Sequence, residues 1–484
     1  MKKYLPYALL LLITVLCFLF PNNNTTIDSW YYAACVKHHY DLFNNSHHLL
    51  YNFFGYKFSQ FLNVFYPVDA LGSLQILNAS ASAISVLLFS QILRLIGYSP
   101  KNAVIITAFC ASGFGYLRFA TDAETYILPL MWTFCSAYFY IKSDKLIYTV
   151  LASFFTVIAV CTHQLQIWWT LALFIHVCFL SNRTLKSKIL FSLILLFIPV
   201  IYFQTYVVGR FCNVSFLGFI YGQYSSGGAG IDISFKALLL TLVNFFRTFL
   251  QVHGQVFYLA KKYPVITITV LAILLKILVF LFLKRREMIK FQKRELPGTY
   301  STLFLLTFIF NLIFAFVSSG NAEFMVMLPF MMTAYIASKY NLIIYTRSLI
   351  IILFMLVWNL FTGILPSTFE NISKTDLQAD LYIHHPEAFF VFENKAQVEN
   401  QVCYITNFES GQRFLRLQDI GKYLDSGKTI YTDFGNVNTK FSRAALLKNW
   451  EENSLLNAYT LIKSDSFQNL YGKNYIYLVR KKDE

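Results

Sequence analysis

Seven side chains combine reactive chemistry with positions just beyond apolar segments: Asp28, His47, His48, Asp122, Glu124, His163 and Arg210. A carboxylate takes a proton from a hydroxyl, and an imidazole does so near neutral pH or binds an anion or metal. A guanidinium matches phosphate oxygens bidentately. Ionisable groups are costly near a bilayer, so acids and imidazoles at its edge invite a functional reading. Asp28 follows the apolar run 4–20, in Asn-Thr-Thr-Ile-Asp-Ser-Trp-Tyr-Tyr, and His47 and His48 lie further along the same loop. Asp122 and Glu124 stand in Arg118-Phe-Ala-Thr-Asp-Ala-Glu-Thr-Tyr, and His163 stands in Thr-His-Gln. Arg210 precedes a Ser-Ser-Gly-Gly-Ala-Gly tract at 225–230. Structural readings compete with these. Asp28 suits a helix N-cap, Asp122 and Glu124 suit a helix N-terminus, Arg118 can pair with Asp122, and Glu323 can simply start a helix.

The elements that must position these groups are membrane spans. Of the 484 residues 56% are hydrophobic and 13% charged, about half the charge of a soluble domain. At roughly 20 apolar residues per crossing, spans are predicted near 4–20, 71–93, 102–119, 126–141, 146–161, 165–181, 189–208, 264–283, 301–318, 322–338 and 346–365. Lys and Arg gather on the cytoplasmic side. With the N-terminus inside, the inner loops receive Arg94 and Lys101, Lys142 and Lys145, Arg183, Lys186 and Lys188, the basic stretch 284–300, and Lys339 and Arg347. All the candidate site residues then face out. The segment 236–258 is left as an interfacial helix, because counting it as a span would turn 284–300 outward. The first span offers no small-x-small cleavage site and reads as an uncleaved anchor.

The fold class expected is therefore an all-α polytopic membrane protein of about eleven transmembrane helices, followed by a small α/β extracytoplasmic domain. The predicted boundary divides 1–365, with a long first outer loop at 22–69, from 366–484. In the second part Gln401-Val-Cys-Tyr-Ile-Thr, Thr429-Ile-Tyr-Thr-Asp and Asn474-Tyr-Ile-Tyr-Leu-Val read as strands, and 444–453 as a helix. Eight scattered cysteines without a C-x-x-C support neither a zinc ribbon nor a disulfide framework. The formal charge of +15 belongs to loops touching anionic lipid and is not a signal for nucleic acid.

An acid beside a membrane suits sugar transfer from a polyprenyl-phosphate carrier. That reaction needs a base for the acceptor hydroxyl and cationic or metal stabilisation of the departing phosphate. Here the sequence resembles the GT-C superfamily of integral-membrane glycosyltransferases, which includes protein mannosyltransferases and the aminoarabinose transferases acting on lipid A. Ile-Asp28-Ser-Trp-Tyr-Tyr-Ala looks like that family's first-loop acid. Ser46-His-His-Leu-Leu-Tyr-Asn resembles its His-containing loop helix, and Thr121-Asp-Ala-Glu-Thr-Tyr-Ile-Leu-Pro its acid-bearing second outer loop. The likeness covers 1–365. Many relatives have paired acids at the first site, whereas Ser29 follows Asp28 here.

The resemblance implies Asp28 as general base, with Asp122 or Glu124 assisting or helping to hold a divalent metal ion, the one cofactor implied. It implies His47 or His48 on donor phosphate or metal. Arg210 would clamp phosphate, His163 would line the substrate site, and 225–230 would form a lid. The partners implied are a polyprenyl-phosphate sugar donor, a glycan, lipid or protein acceptor, and the bilayer. Asn- and Lys-rich usage and the Met-Lys-Lys start suggest a bacterial inner membrane, while sequons such as Asn44-Asn-Ser keep an endoplasmic-reticulum setting open. Rival readings are an O-antigen polymerase or ligase, which would rely on outer-loop arginines, a transporter or flippase, which would want charges within spans and inverted repeats, and a non-catalytic scaffold.

Overall fold

The computed structural model describes residues 4–43, 45–209, 211, 213–226, 230–252, 255–284, 289–293, 300–345, 348–407, 411–434 and 458–482. The chain is mostly helical and divides into two compact units. The first comprises 1–21, 41–252 and 268–364; the second comprises 22–40, 253–267 and 365–484. The first outer loop is thus shared: its helix Ile27–His38 belongs to the second unit and its helix Tyr51–Phe65 to the first.

Helix occupies the apolar segments read from the sequence. Ala70–Leu95, Leu185–Val208, Pro264–Lys284 and Leu349–Phe369 are long and apolar enough to cross a membrane. Leu5–Leu19, Leu146–Thr162, Gln164–Leu180 and Ser301–Val317 are shorter apolar helices. Ala70–Leu95 is the most enclosed. Its buried Ser73, Ala79, Ala81, Ser82 and Ser85 let neighbouring backbones approach closely, as small residues do between helices that lack a hydrophobic driving force. Leu185–Val208 is apolar around its circumference and little of it is covered, the pattern of a lipid-facing helix. These features make the chain an integral membrane protein.

One expected span differs. The stretch 102–119 is two helices, Pro100–Ala111 and Phe114–Ala120, bent by 77°. At the break, Gly115 N–H donates to Thr248 O at 3.0 Å and Phe114 N–H to Phe249 O at 3.2 Å. A Cβ on Gly113 would sit 2.8 Å from Thr248 O, so only glycine permits this approach. Buried Asn359 completes the seam, donating to Ser112 O at 2.9 Å and Phe249 O at 2.8 Å while accepting from Gln251 N–H at 2.9 Å. Asn359→Leu would strand these buried backbone groups at about 1–3 kcal/mol each. A fall in Tm of many degrees in detergent is expected. An unchanged Tm would show that the seam carries no weight.

The segment 236–258 is also resolved into parts. Phe235–Arg247 has 13 residues, about 20 Å of helix against about 30 Å of hydrocarbon. It is capped by Ser234 Oγ accepting from Ala237 N–H at 3.1 Å. Buried Ala237 and Thr241 lie on one side, with Leu238, Leu239, Leu242, Val243 and Phe246 exposed. Gly320 (φ +68°) closes on it, and a Cβ there would be 2.6 Å from Thr241 N. Asn244 donates to Gly320 O at 2.6 Å.

In the second unit a four-stranded sheet runs in the order Phe389–Val391, Ile430–Thr432, Gly472–Lys481, Tyr459–Asn469; the first pair is parallel and the others antiparallel. Strands near 429 and 474 were expected. The one expected at 401–406 is instead the end of helix Lys395–Thr406, whose buried Gln397, Val398, Gln401 and Val402 recur at helical spacing and pack on Ile27–His38. The helix expected at 444–453 lies outside the described residues. The seven described cysteines are free thiols.

Candidate functional site

The three histidines meet where the first outer loop crosses the end of helix Leu146–Thr162. The segment before Tyr51 is a run of turns, not the helix that the resemblance implied for His47 and His48. Asn45 Oδ1 accepts from His47 N–H at 3.0 Å. The loop is pinned by Leu50 N–H donating to Cys161 O at 2.9 Å and Gln164 N–H donating to His47 O at 3.0 Å. These bonds bring His48 edge-to-face on His163 at 4.5 Å between ring centres, with His47 6.0 Å from His48.

His163 is 3% exposed and His48 is buried. Burial, aided by His47 nearby, pushes His163 down to about 3, and burial pushes His47 down to about 4. Burial, with His163 and His47 beside it, holds His48 well below the usual imidazole value. All three are therefore neutral at physiological pH. Nδ1 of His163 accepts from Leu165 N–H at 3.0 Å, so the ring proton sits on Nε2, a buried atom with no hydrogen-bond partner within the protein. His163 thus offers a neutral N–H donor.

This has a consequence for stability. Below about pH 6.5 the unfolded imidazoles take up protons that the folded ones refuse, so stability is full above that pH and falls as pH drops towards 4. Each such group contributes up to about 1.4 kcal/mol per pH unit in that window. Tm in detergent is expected to fall between pH 6.5 and 4.5, less steeply in His163→Asn. Equal slopes for the two proteins would contradict the neutral, buried His163.

Asp122 and Glu124 lie in the turn before helix Ile127–Lys142, 0% and 3% exposed. Asn78 of the enclosed helix Ala70–Leu95 explains their placement. Its amide donates to Asp122 O at 2.7 Å and Glu124 O at 2.6 Å, with Tyr51 Oη at 3.2 Å. The Asp122 carboxylate accepts from Ala123 N–H at 2.8 Å. Burial pushes the Tyr51 phenol up, and both acids add to this, so the two carboxylates and the phenol share one enclosure. Asp28 is different. It occupies the exposed first turn of Ile27–His38 in the second unit, behind Thr26, whose Oγ1 accepts from Ser29 N–H at 3.1 Å.

Tyr126 links the histidines to charged residues that the sequence reading set aside. Its ring is 5.2 Å from His163 and its hydroxyl donates to Glu323 Oε2 at 2.9 Å. Its ring also packs on Phe119 at 4.6 Å, over which the Arg118 guanidinium lies at 4.9 Å. Arg247, at the end of Phe235–Arg247, donates through Nε to Gln251 Oε1 at 3.0 Å. Burial pushes Arg247 down to about 10, Arg118 adds to this by repulsion, and Glu323 opposes it. Arg247 thus feels a second guanidinium and one carboxylate, a set of groups with a net positive charge. Such a set is suited to a phosphate. Arg118 was read as a structural partner for Asp122, and 236–258 as an interfacial helix, so neither arginine was counted among the site candidates. Nothing local in the sequence links the two, and only the bend at 112–113 and its seam to 248–251 do.

Arg210 and residues 227–229 of the expected lid lie outside the described residues. Among the described residues no three His, Cys, Asp or Glu side chains are grouped to hold a metal ion. His163 does not fit as an Nε2 ligand while its Nδ1 accepts the Leu165 N–H.

No protein-family model and no curated protein sequence matches the chain. Solved structures do match in shape. One is ArnT from Cupriavidus metallidurans bound to undecaprenyl phosphate, at 9% identity and TM-score 0.55, covering 98% of this chain and 97% of that one. Another is the oligosaccharyltransferase of Archaeoglobus fulgidus tethered to an acceptor peptide, at 12% identity and TM-score 0.51, covering 98% of this chain and 74% of that one. Over nearly its whole length, from first apolar helix to C-terminal sheet, the chain has the fold of the GT-C glycosyltransferases.

Proposed function

We propose that this protein is a membrane glycosyltransferase that moves a sugar from a polyprenyl-phosphate carrier to a glycan, lipid or protein acceptor at the outer face of a bacterial inner membrane. It would cross the membrane eleven times, with its N-terminus in the cytoplasm and residues 366–484 outside. The observation that carries this reading is the cluster built on Tyr126, whose ring packs on His163 and on Phe119, with the Arg118 guanidinium over Phe119 and the Tyr126 hydroxyl on Glu323. The fold likeness to ArnT, a protein bound to undecaprenyl phosphate, supports the same class of carrier.

In the reaction the acceptor oxygen forms a bond to the anomeric carbon, and the bond from that carbon to the carrier phosphate breaks. The leaving phosphate gains charge, which Arg118 and Arg247 would offset and the Nε2–H of His163 would meet with a hydrogen bond. Groups already oriented in a partly buried setting need little rearrangement to do so. The acceptor proton goes to a carboxylate, and of the three candidate acids Asp28 is the exposed one. Asp122 and Glu124, held in the enclosure around Asn78, suit a supporting role in shaping the turn that carries Tyr126.

The test is reconstitution in vesicles with a panel of polyprenyl-phosphate sugars and candidate acceptors, with released polyprenyl phosphate followed by mass spectrometry. Acceptor-dependent release is expected for one donor. No release from any donor, while a control transferase works in the same vesicles, would count against the reading.

A further inference from the structure

A cavity of about 340 Å³ lies in the first unit between helices Leu5–Leu19, Ala70–Leu95 and Pro100–Ala111, and neither Arg118 nor Arg247 lines it. Its rim carries Leu11 and Leu87, both exposed, so it opens sideways onto the apolar surface of the helices. Its floor includes buried Val86 and Val104, and one end is closed by Gln91 and Arg94. The cavity is thus apolar along its length and cationic at a single end. Arg94 is exposed and donates one N–H to Gln91 Oε1 at 3.0 Å, and a guanidinium has five donors. The Arg94 end is also the end whose loop, with Lys101, the charge distribution assigns to the cytoplasm.

We propose that this groove binds one anionic phospholipid of the adjoining leaflet, its acyl chain along the apolar floor and its phosphate on Arg94. An apolar channel open to the bilayer fits a hydrocarbon chain. A single guanidinium at the depth where an apolar helix ends fits a phosphodiester, because Arg stems reach the interface while the charged head stays hydrated. A zwitterionic lipid would fill the same groove without the added attraction of its net charge. The bound lipid would brace Ala70–Leu95, the helix that also carries Asn78 beneath the Asp122–Glu124 turn. The inference is independent of the transferase reading.

The experiment is native mass spectrometry of delipidated full-length protein titrated with palmitoyl-oleoyl phosphatidylglycerol or the matching phosphatidylcholine. Wild type is expected to retain phosphatidylglycerol about fivefold more tightly, the factor that one arginine near an anionic surface is worth. Arg94→Gln, an exposed change, should abolish that preference and leave phosphatidylcholine binding as it was. Ala83→Phe, which fills the groove, should lose both lipids. Persistence of the preference in Arg94→Gln, or wild-type retention of both lipids in an Ala83→Phe protein of unaltered Tm, would overturn the assignment.

Discussion

Asp28→Asn is expected to lower release of polyprenyl phosphate by about 10²–10⁴-fold, the range over which a positioned general base acts, with expression and Tm nearly unchanged. The two halves of this expectation have separate grounds. Asn keeps the size of the side chain but cannot accept the acceptor's proton. The structural loss is small: Asp28 is exposed in the first turn of Ile27–His38, where a carboxylate's interaction with the helix dipole is worth about 0.3–1 kcal/mol. A structural cap would show the opposite pattern, a modest drop in Tm with turnover intact. Asp122→Asn serves as the contrast, because that buried carboxylate holds Ala123 N–H and its loss should appear first in Tm. Turnover by Asp28→Asn within a few-fold of wild type would remove Asp28 as the base and direct attention to Asp122 and Glu124.

Arg247→Gln is expected to lower kcat/KM for the lipid-linked donor by about 10²-fold, which is about 2.7 kcal/mol and within the range of a charge-assisted hydrogen bond. Its Tm should stay level or rise. Arg247 is half-buried and Arg118 repels it, while Glu323 only partly compensates, so removing the charge relieves strain in the empty protein. The same charge is what a phosphate would require. Arg247→Lys should recover part of the activity, because it restores charge without the bidentate fork. Stability and activity moving in opposite directions separates a ligand-binding arginine from a packing one. A variant that lost both together would show that Arg247 only holds its helix in place.

The membrane character and the general plan were legible in the sequence. Runs such as 4–20 and 264–283 have one physical outcome, because an apolar segment in a bilayer must satisfy its own backbone as helix. The change of composition after Pro366 likewise falls where the longest stretch of the second unit begins. Local readings failed where two periods compete over a short window. Residues 401–406 read as a strand, and helix Lys395–Thr406 formed because its buried face continues from Gln397 and Val398.

Among the site residues, the sequence by itself determined which groups could do chemistry and that they lie at the ends of apolar segments. Hydropathy and side-chain type are properties of the chain alone. Only the tertiary structure decided which of them meet. His163 joins His48 because the first loop hydrogen-bonds to Cys161 O and Gln164 N–H. The helix that carries Arg118 meets the end of the helix that carries Arg247 because Gly113 lets two backbones touch and Asn359 fastens them. Asp122 and Glu124 are enclosed because one amide, Asn78, binds both of their carbonyls. These contacts join residues distant along the chain, so no periodicity or motif announces them, and the burial that neutralises the histidines and strains Arg247 exists only once the helices have packed.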